Sequence, residues 1–98
     1  MPDKIDFLVK ILLSDTARED ERDDAAMDLG RFSDERALIA LIQVASNPNE
    51  DEMILASCGE SIGAILIKKR KYDVALLDDL APIAKHAAYS FIKASQND

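Results

Sequence analysis

The sequence predicts an all-α fold, a small stacked array of about five helices of the α-solenoid type. Three observations predict it. Apolar residues recur at helical spacing almost throughout, and the β-branched alternation that marks strands is absent. Helix-start chemistry, a Ser, Thr or Asn followed by acids, recurs ahead of the apolar stripes. An aliphatic-Gly-x-apolar pattern appears twice, 33 residues apart, as expected of a repeating helical unit. With 98 residues the chain is one domain with room for one core.

The first helix is expected over about residues 3–13, with Ile5, Leu8, Val9 and Leu12 on one face and Pro2 just ahead. Thr16 and Glu19 form a T-x-x-E capping box for the second helix. Its inner side carries Ala25, Ala26, Leu29 and Phe32, and Gly30 is its expected stop. Ser33 is the natural cap of the third, followed by Asp34 and Glu35 and an inner stripe of Leu38, Leu41, Ile42 and Ala45. Asn47-Pro48-Asn49 breaks the chain, and Asn49 with Glu50, Asp51 and Glu52 starts a fourth helix that runs to about Lys68. Ile54, Cys58, Ser61, Ile62 and Ile65 line it, widened by Leu55 and Leu66, and the basic run from Lys68 to Lys71 closes it. After Tyr72 and Asp73 the last helical region presents Leu76, Leu80, Ile83, Ala84, Ala87 and Phe91, ending in a frayed tail from Ser95 to Asp98. Pro82 fits there if that helix starts or restarts one turn earlier, at Asp78 or Asp79.

The repeat organises the chain. Leu29-Gly30-Arg31-Phe32 matches Ile62-Gly63-Ala64-Ile65, and Ala26 matches Gly59 at the same offset. Ala37-Leu38-Ile39 with Ile42 then matches Ala75-Leu76-Leu77 with Leu80, five residues further on, the extra length lying in the basic connector from Lys68 to Tyr72. A single domain is expected, with a lone helix in residues 1–14, a first helical hairpin in 16–46 and a second in 49–95. Each pair covers the apolar face that its neighbour cannot bury alone.

Nineteen acids against twelve bases give a net charge of −7. That argues against nucleic-acid binding, where Lys and Arg must neutralise phosphates, and favours a cationic partner. The single cysteine, Cys58, excludes an internal disulfide and any cysteine-rich zinc site. No segment approaches the roughly 18 apolar residues of a membrane span, and the start MPDKIDFLVKILL has no cleavage site behind it. A cytoplasmic, unprocessed protein with no membrane partner is expected.

Catalytic signals are poor. His86 is the only histidine, has no second imidazole for a metal, and reads as an exposed or half-buried helix position. Cys58 lies on an inner stripe, where a lone cysteine behaves as a small apolar residue. No catalytic residue, metal, cofactor or small-molecule substrate is expected. Gly59 and Gly63 each cost a helix about 1 kcal/mol relative to Ala, which the close approach of a second helix would offset. Glu60 between them either points to solvent or accepts donors from a neighbouring helix start.

The acids are uneven. Residues 1–60 hold fifteen acids and six bases, a balance of −9, and residues 61–98 hold four acids and six bases, a balance of +2. Acids in first turns complement helix dipoles, but Asp23, Asp24 and Asp28 lie beyond the first turn. An acidic docking face is therefore expected, with Glu19, Asp20, Asp23, Asp24, Asp34, Glu35, Glu50, Asp51, Glu52 and Glu60 as its candidate partner-binding residues. The clusters at Glu19 to Glu21 and Glu50 to Glu52 are expected to share one edge of the array.

Two resemblances attach to these residues. Arg22-x-x-Ala25-x-x-x-Leu29-Gly30 followed by Asp34-x-x-Ala37-Leu38-x-x-Leu41 resembles a HEAT-like repeat, a family that implies protein binding, usually without catalysis. Ser57-Cys58-Gly59-Glu60-Ser61-Ile62, after the acidic turn Asn49 to Glu52, resembles small bacterial immunity proteins of contact-dependent growth-inhibition systems. That resemblance runs from about Leu29 to Tyr72. It implies a cytosolic protein that binds and blocks the C-terminal toxin domain of a cell-surface effector, often a nuclease with a basic substrate surface. The alternative is a HEAT-like adaptor with no toxin partner, and an enzyme such as a HEAT-repeat lyase comes third.

Overall fold

A computed structural model describes residues 3–70 and 74–96. Five α-helices lie within them, α1 Lys4–Leu12, α2 Glu19–Leu29, α3 Glu35–Ala45, α4 Glu52–Lys68 and α5 Pro82–Ser95, with a 3-10 turn at Val74–Leu77 and no strand among the described residues. The fold is all-α, as its apolar periodicity requires. Pro2, Lys71, Tyr72, Asp73, Asn97 and Asp98 lie outside the described residues.

Helix starts differ from the expected caps in a consistent way. Thr16 does not head α2. The Ser14 hydroxyl accepts the N–H groups of Thr16 and Ala17, both at 3.1 Å, and folds that stretch into a turn. The helix begins at Glu19, and Glu21, not Glu19, reaches back to accept the Arg18 N–H at 3.2 Å. The cap of α3 is Asp34, not Ser33, and accepts the Arg36 N–H at 2.8 Å. The cap of α4 is Asp51, not Asn49, and accepts from Met53 and Ile54 at 3.0 and 3.2 Å. An ionised carboxylate makes the stronger hydrogen bond and adds charge at the positive end of the dipole, so a nearby Asp displaces Ser or Asn.

The last helix also starts later than expected. Asp78 and Leu80 donate to Ala75 and Leu77 in 3-10 fashion, at 3.3 and 3.2 Å. Ala81, forced out of the helical region by the proline after it, is extended at φ −59°, ψ 149°. Its N–H crosses to the Ala45 carbonyl at 2.8 Å, and Pro82 becomes the first residue of α5.

Contacts along the helices give their directions. On α2 and α4, Asp23 meets Ser57, the Ala26 carbonyl accepts the Ser61 hydroxyl at 2.6 Å, and Lys68 reaches the carbonyls of Gly30 and Arg31 at 3.2 and 2.8 Å. Both numbers rise together, so the two helices are parallel. The same holds for α4 and α5, where Gly59 faces Ala84 and Ala87 while Gly63 faces Ala88 and Phe91. On the other side Arg36 of α3 joins Asp3 and Asp6 at the start of α1. Between the sides the helices are antiparallel. Arg22, early in α2, donates to the Leu12 carbonyl at the end of α1, and Glu35 at the start of α3 pairs with Lys69 just past the end of α4. The array therefore has two layers, α1 with α3 and α2 with α4 and α5, and its shortest dimension of 21 Å is about two helix diameters.

This geometry changes the reading of residues 49–95. Because α4 and α5 run in the same direction, they do not form an antiparallel hairpin. The return stroke is the connector containing Val74–Leu77, the stretch that matches α3 in the repeat, shortened to a 3-10 turn. Helix α5 takes the next place in the layer of α2 and α4.

The core lies between and within the layers. Ile5, Leu8 and Leu12 of α1, Ala25, Ala26 and Leu29 of α2, Leu38 and Leu41 of α3, and Ile54, Cys58, Ile62, Ile65 and Leu66 of α4 are all buried. Helix α5 contributes Ala84 and Ala88, whereas Ile83 and Phe91, expected inside, are exposed at its flank. No helix is long and apolar enough to cross a membrane among the described residues.

Candidate protein-docking face

The parallel stacking of α2 and α4 places their first turns side by side. Arg22 locks them together, donating to both Glu50 oxygens at 2.9 and 2.7 Å while its Nε holds Leu12 O at 3.0 Å. Both side chains are largely buried, at 16% and 13% exposure. Arg22 holds the Glu50 carboxyl below its ordinary 4.5, chiefly through the hydrogen bonds, against the desolvation that raises it. The clusters at Glu19 to Glu21 and at Glu50 to Glu52 therefore share one edge.

Asp34 and Glu35 lie on the opposite edge, where α3 starts and α4 ends. They belong to internal contacts there. Arg36 donates to Asp34 at 2.9 and 3.0 Å, to Asp3 at 3.0 Å and to Asp6 at 2.9 Å. The two bonds from Arg36 to Asp34, with the backbone bond that caps α3, lower the Asp34 carboxyl from 3.8 to about 2. Glu35 accepts from Lys69 at 2.6 Å.

Other members of the expected set are engaged too. Asp23 accepts the Ser57 hydroxyl, Asp51 caps α4, and Asp20 pairs with Arg18 at 3.1 Å on the surface. Four remain, Glu19, Asp24, Glu52 and Glu60, all exposed and with no hydrogen bond or ion pair among the described residues. Glu60 sits on the outer side of α4, between the half-buried Ala56 and Ala64 one turn away in each direction.

Two shallow depressions meet at Glu60. The one beside α2 is lined by Met27, Gly30, Arg31, Ser61 and Ala64, the one toward α5 by His86, Ala87 and Ser90, and Phe91 borders both. Met27 and Phe91, 53% and 40% exposed, stand as apolar walls over a floor of small residues. Sequence reasoning did not pick out Met27, Arg31 or this groove. The available signal was Met27 itself, a large apolar side chain off the Ala25, Ala26, Leu29 stripe of α2.

His86 is exposed and Cys58 is buried, both as expected. Burial, with Glu50 nearby, pushes the Cys58 thiol up to about 12, far from a nucleophile's range. No group of three or more His, Cys, Asp or Glu that could hold a metal occurs among the described residues. The arrangement presents exposed carboxylates at one edge and, further along α4, two depressions that share the Glu60 carboxylate. No family model, curated protein or solved structure matches the chain.

Proposed function

We propose that the protein is an immunity protein that binds a basic toxin domain, an RNase or other nuclease, in the cytoplasm and occludes its active site. The observation that carries this reading is the shared edge of α2 and α4 with its outer face, where Glu19, Asp24, Glu52 and Glu60 remain available while neighbouring acids are tied into the fold. Carboxylates held on a rigid helical layer can stand where nucleic-acid phosphates would, and their field speeds encounter with a cationic surface. The resemblance of residues 57–62 to immunity proteins of growth-inhibition systems gives the partner its class. The work is done by surface contact, so it needs no catalytic group.

Asp23, Glu50 and Asp51 belong to the scaffold of that face. Reversing their charge would disturb the Ser57 contact, the Arg22 pair and the α4 cap, and would confuse folding with binding. The test therefore uses Asp24→Lys, Glu52→Lys and Glu60→Lys together, co-expressed with the C-terminal domain encoded by the adjacent upstream reading frame. Wild-type protein should restore growth and co-purify with that domain, and the triple variant should lose affinity by about a hundredfold or more at low salt. Failure of the wild type to protect or co-purify overturns the reading, and leaves a HEAT-like adaptor as the better description.

A further inference from the structure

We propose that the groove across α4 receives a lysine or arginine side chain of the partner, with its charged head on the Glu60 carboxylate and its methylene stem between Met27 and Phe91. The proposal rests on the inhibitor reading above and specifies its central contact.

Glu60 is the only charged residue of α4 between Glu52 and Lys68. Ala56 and Ala64 flank it one turn away, the buried Ser61 lies at the base of the depression beside α2, and the small residues Ala87 and Ser90 line the one toward α5. Small neighbours let a partner side chain lie down along the helix and reach the carboxylate. A bulky floor would lift that partner away. The walls suit the stem of a long cation, since Lys and Arg cover apolar surface with their methylenes while the head stays polar. Phe91 adds a ring face for a guanidinium.

Glu60 is the one carboxylate that lines the two depressions; Asp24 and Glu52 lie outside them, nearer the starts of α2 and α4, and Arg31 lines the depression beside α2 at the far end, where Lys68 holds its carbonyl. Arg31 shares the depression with Glu60 yet makes no ion pair with it, so the carboxylate is not already neutralised from within. A cation entering from the acidic edge meets Glu60 before it meets Arg31.

The experiment measures the dissociation constant of the toxin domain from the upstream frame for wild type, Glu60→Gln, Met27→Ala and Arg31→Glu, with thermal melts as the control for folding. Glu60→Gln should weaken binding about tenfold and Met27→Ala severalfold, while Arg31→Glu should leave binding unchanged or tighter. No binding by the wild type overturns the inhibitor reading and the groove contact together. Tight wild-type binding with Glu60→Gln within about twofold of it overturns the groove contact alone. Weakening by Arg31→Glu overturns a cationic occupant.

Discussion

Gly59 and Gly63 occupy one face of α4, a turn apart, and both look toward α5, but their surroundings differ. A methyl group at Gly59 would run into the Ala84 carbonyl and lie 2.9 Å from the Ala87 Cβ. At Gly63 the nearest atoms would be the Ala88 carbonyl at 3.1 Å and the Phe91 Cβ at 3.2 Å. Alanine in a helix interior gains about 1 kcal/mol over glycine, whereas overpacking costs about 1–3 kcal/mol or more. The backbone carbonyl at Gly59 cannot turn aside, so the penalty wins there. Gly59→Ala should destabilise by about 2 kcal/mol and Gly63→Ala by less than about 1 kcal/mol. Urea denaturation of the two variants checks this, and equal midpoints would mean that Gly59 does not set the α4 to α5 separation. Gly30 belongs to the same class of residue, since a Cβ there would lie 2.6 Å from the Ser61 hydroxyl. Its φ of −65° is ordinary, so contact with α4, and not left-handed backbone, requires glycine at the end of α2.

At the scale of elements, α2 contributes only Ala25, Ala26 and Leu29 to the core and is held by polar ties. Arg22 fixes it to α1 and α4, and Ser57 and Ser61 fix it along α4. Helices α1 and α3 are joined by Arg36. These ties make stability depend on acid. Asp3, Asp34 and Glu50 are each more acidic in the folded chain than their ordinary 3.8, 3.8 and 4.5. The unfolded chain then binds more protons in the acidic range, so their stabilisation is complete above about pH 5 and is lost as pH falls toward 2. Arg36→Gln returns Asp3 and Asp34 toward ordinary values, and should lower the melting temperature at pH 6 and flatten its fall between pH 4 and 2. Parallel melting-temperature profiles for variant and wild type would refute the linkage. The sequence made the helices and their inner stripes legible, above all the α4 stripe from Ile54 to Leu66, because burial follows apolar periodicity. Cap identities at Thr16, Ser33 and Asn49 were not legible, because each stood within a few residues of an acid and the choice depended on where the preceding turn placed the chain. The direction of α5 was hidden as well. Nothing local distinguishes a short helix from a 3-10 return at Val74–Leu77.

Over the whole molecule, parallel stacking turns an asymmetry along the chain into one across a surface. The excess of acids before Ser61 becomes an edge because α2 and α4 start together, and the candidate face was legible to that extent. The separation of Asp34 and Glu35 was not, since it follows from α3 running the other way. The same stacking makes α4 the centre of the fold, packed against α2, α3 and α5, with ten of its seventeen residues buried. Opening α4 removes Ile54, Ile62 and Ile65 from every neighbour at once, so its amides should exchange only through global unfolding, at about 5–15 kcal/mol for a domain of this size. Helix α1 packs chiefly on α2 and α3 and buries Ile5, Leu8 and Leu12. It can open while the other helices stay paired. Native-state hydrogen exchange should therefore find residues 55–66 the slowest, with protection that falls steeply with denaturant, and residues 8–12 faster with a shallower denaturant dependence. Equal protection in α1 and α4 would mean that the array opens as one cooperative unit and that α1 is integral to its core.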